Sequence, residues 1–168
     1  MRLLIFFSLV VLMIGCDKKA PPAGDPKAIS MDEISIRYAR DFNNKAIKDR
    51  DTLTIDDAWM DNVVVISSAD SQINGKEALK KVFLDQFESS ADAIYIRNPV
   101  KIEIMKQWGM ASEVGTWEGS WTAPDGKIEI GGTYYAKWHK VRSKWLIRTE
   151  VYTPTHCIGG AYCNTIPG

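Results

Sequence analysis

From Ala93 onward the sequence settles into a period of two, and that alternation constrains the fold more than any other feature. Apolar Ile94, Ile96, Val100, Ile102 and Ile104 oppose Tyr95, Arg97, Lys101 and Glu103, the pattern of a long half-buried strand. Trp108-Gly109 and "APDGK" mark turns, so segments 94–106, 110–122, 127–141 and 144–153 are expected to form a four-stranded antiparallel meander. A sheet of this kind buries one face and needs a second layer to cover it.

The chain upstream supplies that layer. Ser30 followed by Glu33 is a capping-box signature, and Ile34, Tyr38 and Phe42 recur every four residues on a helix reaching about Asp49. "TLTIDDAWM" reads as a second, short helix, followed by the β-branched run "NVVVIS" and the turn-rich "SADSQINGK". "KEALKKVFLDQFES" reads as a third helix, with Leu79, Val82, Phe83 and Phe87 on one face. Three helices before a meander imply an α+β domain. A chain of 168 residues with 45% apolar content has room for one such domain and not for two.

Strand parity then assigns faces. Ile130, Tyr134, Ala136 and Trp138 are expected inside, with Glu129, Thr133, Tyr135, Lys137 and His139 outside. On the last strand the same rule sends Trp145, Ile147, Thr149 and Val151 inward and Arg148, Glu150 and Tyr152 outward. The basic residues of "YYAKWHKVRSKWLI" thereby become solvation of the convex face.

Three motifs carry a family resemblance: "INGKEAL" opening the last helix, "GMASEVGTW", and "GGTYYAKWHK" followed by a short turn and "KWLI". In order and spacing they resemble the nuclear transport factor 2-like superfamily, and within it SnoaL-like and ketosteroid-isomerase-like domains, over roughly residues 31 to 153. The resemblance implies a cone-shaped curved antiparallel sheet wrapped around the three N-terminal helices, a pocket at its open end, and frequently a dimer across the sheet.

It also implies where catalytic groups would stand. Tyr38 falls at the position of the isomerase's helix-one tyrosine. The carboxylate base falls near Ile66 to Ala69, where there is none, with Asp70 just beyond; the partner acid falls near Gly132 to Tyr134, again without a carboxylate. Among other acids, Glu103 and Glu150 point outward by parity, and Asp56 and Asp57 sit on the short helix. Glu113 shares a face with Trp117, although glycines at 109, 115 and 119 invite bulges that would reverse it. Held among tryptophans it would suit general acid or base work; the alternative is an exposed glutamate opposite a neighbouring strand's lysine.

The N-terminus is a separate object. Met1-Arg2 precedes an apolar stretch of 12 residues, Leu3 to Ile14, broken only by Ser8, too short for the roughly 20 a membrane-spanning helix needs. Its end, "LMIGC", resembles the lipobox of bacterial lipoproteins. Residues 1–15 are thus read as a signal peptide, and Cys16 as the lipidated first residue of an extracytoplasmic, membrane-anchored chain of the bacterial cell envelope. Residues 16–30, with three prolines and a glycine, form a tether; 31–155 the domain; 156–168 a tail. Outside the cytoplasm, Cys157 and Cys163 in "HCIGGAYC" are expected to pair, while a metal site with His156 lacks a fourth ligand.

Equal counts of Lys+Arg and Asp+Glu, 21 each, argue against a nucleic-acid partner. No residue pattern calls for a cofactor or a metal. Three function classes remain: binding of a small apolar or aromatic ligand in a pocket lined by Tyr38, Trp59, Trp117, Tyr134 and Trp138; a SnoaL-like or isomerase-like enzyme using Tyr38 with Glu113 or Asp70; and an interaction module forming a homodimer through Tyr95, Tyr135 and Tyr152 on the convex face.

Overall fold

The computed structural model describes residues 29–165, so the signal peptide, Cys16 and nearly all of the tether lie outside the described residues. The first element is α1 (Met31–Lys48). Its cap forms as expected, Ser30 Oγ accepting the Glu33 backbone N–H at 3.1 Å. The box does not close, because the Glu33 carboxylate turns to Arg37, 2.8 Å away and one turn further along. The buried stripe is also a different one. Ile36, Arg40, Asn43, Ala46 and Ile47 are buried, whereas Ile34 is 48% and Tyr38 72% exposed. Positions 36, 40, 43 and 47 repeat as helically as 34, 38 and 42, but two of the residues they carry are polar, and a hydrophobic pattern passes over them.

The expected second helix is absent: residues 52–58 form successive turns, and Trp59 opens β1 (Trp59–Ile66). Asp51 accounts for this by accepting the Leu53 N–H at 3.0 Å and the Thr54 hydroxyl at 2.6 Å, local bonds that compete with helix formation. A short strand, β2 (Gln72–Asn74), then precedes α2 (Lys76–Ser89), which buries Leu79 and Phe87 with Phe83 packed beside them. The described residues therefore hold two α-helices. The meander follows as expected, with β3 (Ile94–Met105), β4 (Met110–Ala123), β5 (Gly126–Val141) and β6 (Lys144–Ile158). Together the strands make a six-stranded sheet, curved and unclosed, in the order β2-β1-β6-β5-β4-β3. All neighbours are antiparallel except β1 and β6, which run parallel. Helix α1 lies across β3 and β6, and α2 against β1 and β2, so the fold is α+β with its core between helices and concave face.

Two single-residue bulges decide what that concave face carries. On β3, Pro99 pairs with Gly115 and Lys101 with Val114, leaving Val100 as an extra residue, 70% exposed. Beyond the bulge Ile102 and Ile104 pack against the core as expected; before it the parity is reversed, so Tyr95 and Arg97 face inward and Ile96 outward. On β6, Lys137 pairs with Thr149 and Trp138 with Ile147, leaving Arg148 as the extra residue. Trp145 and Ile147 are buried before it, and after it Glu150 is buried and Tyr152 packs inward. The outward placement of Glu150, Tyr152, Tyr95 and Arg97 is thereby corrected. Of the three tyrosines expected on a convex interface, Tyr135 alone stays outside.

The glycine-bearing β4 keeps its alternation throughout, burying Ala111, Glu113, Gly115, Trp117 and Gly119. Gly115 is required there by close approach: a Cβ would meet Asn98 O at 2.2 Å and the Tyr134 ring at 2.8 Å. At the C-terminus Cys157 and Cys163 form the expected disulfide, with their Cα atoms 5.4 Å apart, so neither offers a thiolate to a metal. The loop it closes sets the Tyr162 ring edge-on to Trp121, with centroids 4.9 Å apart.

Candidate functional site

Beneath α1 lies a buried charge cluster. Arg40, fully buried, donates from Nε to Glu113 Oε1 at 2.9 Å. Its Nη1 lies 2.7 Å from Glu150 Oε1, an ion pair by distance but bent out of hydrogen-bond alignment. One guanidinium thus serves two carboxylates from two strands. Its carbon also stands 5.3 Å from the Tyr134 ring centroid and 5.1 Å from that of Trp138, a cation–π arrangement on each side. Burial alone would lower the affinity of Arg40 for its proton; Glu150 and Glu113 outweigh it and hold the guanidinium firmly charged.

Glu113 is held from behind. It accepts the Tyr134 hydroxyl on Oε1 and Trp138 Nε1–H on Oε2, the latter at 2.8 Å. Three donors fix this carboxylate, and the missing side chain of Gly115 leaves the space in which the Tyr134 ring lies. Burial raises the Tyr134 pKa, with Glu113 adding to it against the opposing charge of Arg40, so the phenol stays protonated as a donor.

A second buried arginine stands on β3. Arg97 donates to Asn43 Oδ1 and, at 3.4 Å, to the Tyr95 carbonyl, while Asn44 clamps its backbone N–H at 3.1 Å and carbonyl at 2.8 Å. Asn43 in turn donates to the Ile55 carbonyl at 2.9 Å, which ties α1, the turn run and β3 together.

Next to this cluster a cavity of about 160 Å³ opens between α2 and the sheet. Trp59, Leu79, Phe83, Tyr95 and Trp117 make its apolar wall, and Arg97, Glu150 and Tyr152 its charged and polar end. Trp59 stacks on Phe83 at 5.6 Å between centroids, and Trp117 meets Tyr152 edge-on at the same distance. Burial raises the Tyr152 pKa, with Glu150 the next cause, so Tyr152 too presents a protonated hydroxyl.

The candidate residues divide accordingly. Trp59 and Trp117 line the cavity; Tyr134 and Trp138 are buried behind it as partners of Glu113; Tyr38 is on the outer face of α1, away from both. Glu113 faces inward with Trp117 as its parity predicts, but is engaged by Arg40 and is not among the residues lining the cavity. Asp70 is exposed in the turn after β1, with a left-handed backbone. No sequence pattern pointed to Arg40, Asn43, Arg97 or Glu150. The signal that could have found the first two is the second helical stripe on α1; the others depend on the bulges.

No protein-family model matches the sequence, and no curated protein matches it. Solved structures do. A protein assigned as a scytalone dehydratase from Novosphingobium aromaticivorans DSM 12444 aligns with a TM-score of 0.69 at 11% identity, covering 77% of this chain and 87% of its own. A ketosteroid isomerase-like protein from Erwinia carotovora atroseptica SCRI1043 gives 0.64 at 15% identity, covering 76% and 99%. An uncharacterized protein with a cystatin-like fold from Caulobacter vibrioides gives 0.62 at 10%, covering 73% and 89%. At these identities the likeness is one of fold, and the fold is the nuclear transport factor 2-like, cystatin-like roll.

Proposed function

We propose that the domain binds a small, largely aromatic or apolar molecule in the cavity between α2 and the sheet, on a protein that Cys16 anchors by lipid to the bacterial cell envelope. The observation that carries the binding reading is the cavity itself: the concave face is not filled by its own side chains, and a ring of aromatic residues surrounds the space left over. The charge cluster behind it supports the same reading, since a rigid, fully buried Arg40 network keeps the polar end of the cavity in one arrangement before any ligand arrives. Native mass spectrometry of the full chain, before and after denaturing extraction, tests it. A small molecule lost on extraction is the expected result; a chain that arrives empty and takes up none of a panel of single-ring aromatics would sink the reading. A convex face bearing exposed Val100, Val114 and Tyr135 is where we place contact with a second copy.

Glu150 in the cavity wall favours a second reading, proton transfer on a bound substrate. The earlier pairings of Tyr38 with Glu113 or Asp70 find no support in the geometry, and the role moves to Glu150 with Tyr152 beside it. Neighbours named for dehydratase and isomerase chemistry lend this a precedent of fold. Deuterium exchange at the α-carbon of a bound ketone, abolished by Glu150→Gln with binding retained, is the result it requires.

A further inference from the structure

Three segments meet at the end of the domain from which α1 starts. The first turn of α1 is tied to the β5–β6 hairpin, because Asp32 Oδ1 accepts from Lys140 Nζ at 2.6 Å and from Trp145 Nε1 at 3.0 Å. That hairpin is tied in turn to the link between β3 and β4, the Lys140 backbone N–H donating to the Gly109 carbonyl at 2.7 Å. The link is a single 3-10 turn, Lys106–Trp108, closed by Gly109 in the left-handed conformation.

Each segment leaves apolar side chains in water: Ile29 and Met31 at the start of α1, Met105 and Trp108 at the 3-10 turn, and Val141 on the hairpin. Trp108 is 72% and Met31 76% exposed. Single apolar residues on a surface are ordinary, but a group carried by three segments that hydrogen bonds hold together is a patch. The same segments carry Lys106, Lys140, Arg142 and Lys144. Asp32 stands among them already bound by Lys140, which holds its carboxyl below the ordinary carboxylate value, and Lys106 acts on it in the same sense. An end that is both apolar and basic suits the surface of an anionic bilayer, where Trp and aliphatic groups enter the interfacial layer and cations face the lipid phosphates.

The course of the chain points to the same occupant. Upstream of Ile29 runs the segment to Cys16, which spans at most about 45 Å when fully extended. The chain leaves the domain at this end, so a lipid on Cys16 holds the patch near the bilayer at high local concentration, where a weak surface affinity suffices.

Resting on the reading of Cys16 as lipid-anchored, we propose that the domain docks this end on the anionic phospholipid surface, with Trp108 and Met31 entering the headgroup layer and Lys106, Arg142 and Lys144 against the phosphates. Docked this way, the domain turns its cavity from the membrane. β1 runs parallel to β6, which starts at the docked end, and the cavity residues Ser67 and Ser68 follow the far end of β1. That side of the cavity faces the aqueous phase, so its ligand exchanges with water and not with the bilayer interior.

Tryptophan fluorescence of the full-length product purified from membranes, in vesicles of phosphatidylcholine with phosphatidylglycerol, tests this. Trp59, Trp117, Trp138 and Trp145 are buried and Trp121 is half-buried at the far end of β4, which leaves Trp108 to report on the surface. Brominated acyl chains should quench part of the emission, and that part should vanish in Trp108→Phe. Quenching should weaken in pure phosphatidylcholine, at high salt, and in the triple variant Lys106→Gln, Arg142→Gln, Lys144→Gln. Brominated lipid without effect on a chain that floats with the vesicles overturns the docking while the anchor stands. Equal quenching in neutral lipid and in the triple variant overturns the anionic assignment. A dimer in detergent that Trp108→Glu dissociates gives this face to a second copy and overturns the membrane assignment. A product that carries no lipid mass and does not float overturns the Cys16 reading, and this inference with it.

Discussion

Glu113 and Glu150 reach the same guanidinium from strands β4 and β6, at 2.9 Å from Arg40 Nε and 2.7 Å from Arg40 Nη1. Removing the cation leaves two carboxylates buried against each other with no counter-charge. Arg40→Met is expected to destabilise the fold by about 3–5 kcal/mol, and Arg40→Met with Glu113→Gln and Glu150→Gln to recover a large part of that loss. Urea denaturation measures both. A loss below about 1 kcal/mol for the single variant would mean that the cluster is solvated and not a buried unit.

Tyr38 gives the opposite expectation. With 72% of its surface exposed on the outer face of α1, it touches neither the cluster nor the cavity. Tyr38→Phe should change stability by no more than about 0.5 kcal/mol and leave affinity for any cavity ligand as it was. A marked loss of binding would return the residue to the site from which the geometry removes it.

His139 provides a pH signature. Burial lowers its pKa from the ordinary 6.5, with Lys137 and Arg148 contributing in the same direction. The folded protein therefore resists a proton that the unfolded chain accepts. Its contribution is whole above pH 6.5 and is lost as pH falls through the lowered value, whereas that of Asp51 and Asp92, both lowered from 3.8, is lost only in stronger acid. Stability should therefore fall as pH drops below 6.5, and His139→Gln should flatten that segment of the curve. An unchanged slope in the variant would assign it to other groups.

The Cys157–Cys163 disulfide closes a short loop, with a sequence separation of 6. Chain entropy for so small a ring gives at most about 2 kcal/mol, so Cys157→Ser with Cys163→Ser should remain folded with a slightly lower melting temperature. The change should be confined to the C-terminal segment, where Tyr162 loses its hold on Trp121, and amide exchange would localise it. Global unfolding of the double variant contradicts this.

The anchor is checked separately. Cys16→Ser should yield an unlipidated precursor that no longer fractionates with membranes. Normal membrane recovery and continued lipid labelling would eliminate the lipoprotein proposal.

How much of this was legible beforehand follows from what each signal reports. The four meander strands stand within a few residues of their expected bounds, because alternation and turn chemistry are local and strong there. The Glu113–Trp117 face was legible too, since β4 keeps its parity despite three nearby glycines. The residues that make the site were not. Arg40 and Asn43 occupy core positions that a hydrophobic pattern excludes, and only a partner on a distant strand makes them tolerable there. Arg97 and Glu150 face the other side because of the bulges at Val100 and Arg148; the first is marked by Pro99 directly before it, whereas the second carries neither a glycine nor a proline. The turn run at 52–58 escaped because Asp51 competes for the backbone through its side chain.

The bulges at Val100 and Arg148 act on their strands as a frameshift acts on a message. Each inserts one letter, and the residues on the far side of it, as far as a further extra residue at Thr155 on β6, are then read by the other face. Arg97 and Tyr95 precede the first insertion, Glu150 and Tyr152 follow the second, and these four supply much of the chemistry of the cavity. A chain lacking only Val100 and Arg148 would keep almost the same composition and the same strand count, yet would turn those groups out into solvent. In such a sheet, gain or loss of function by single-residue insertion is as accessible as by substitution.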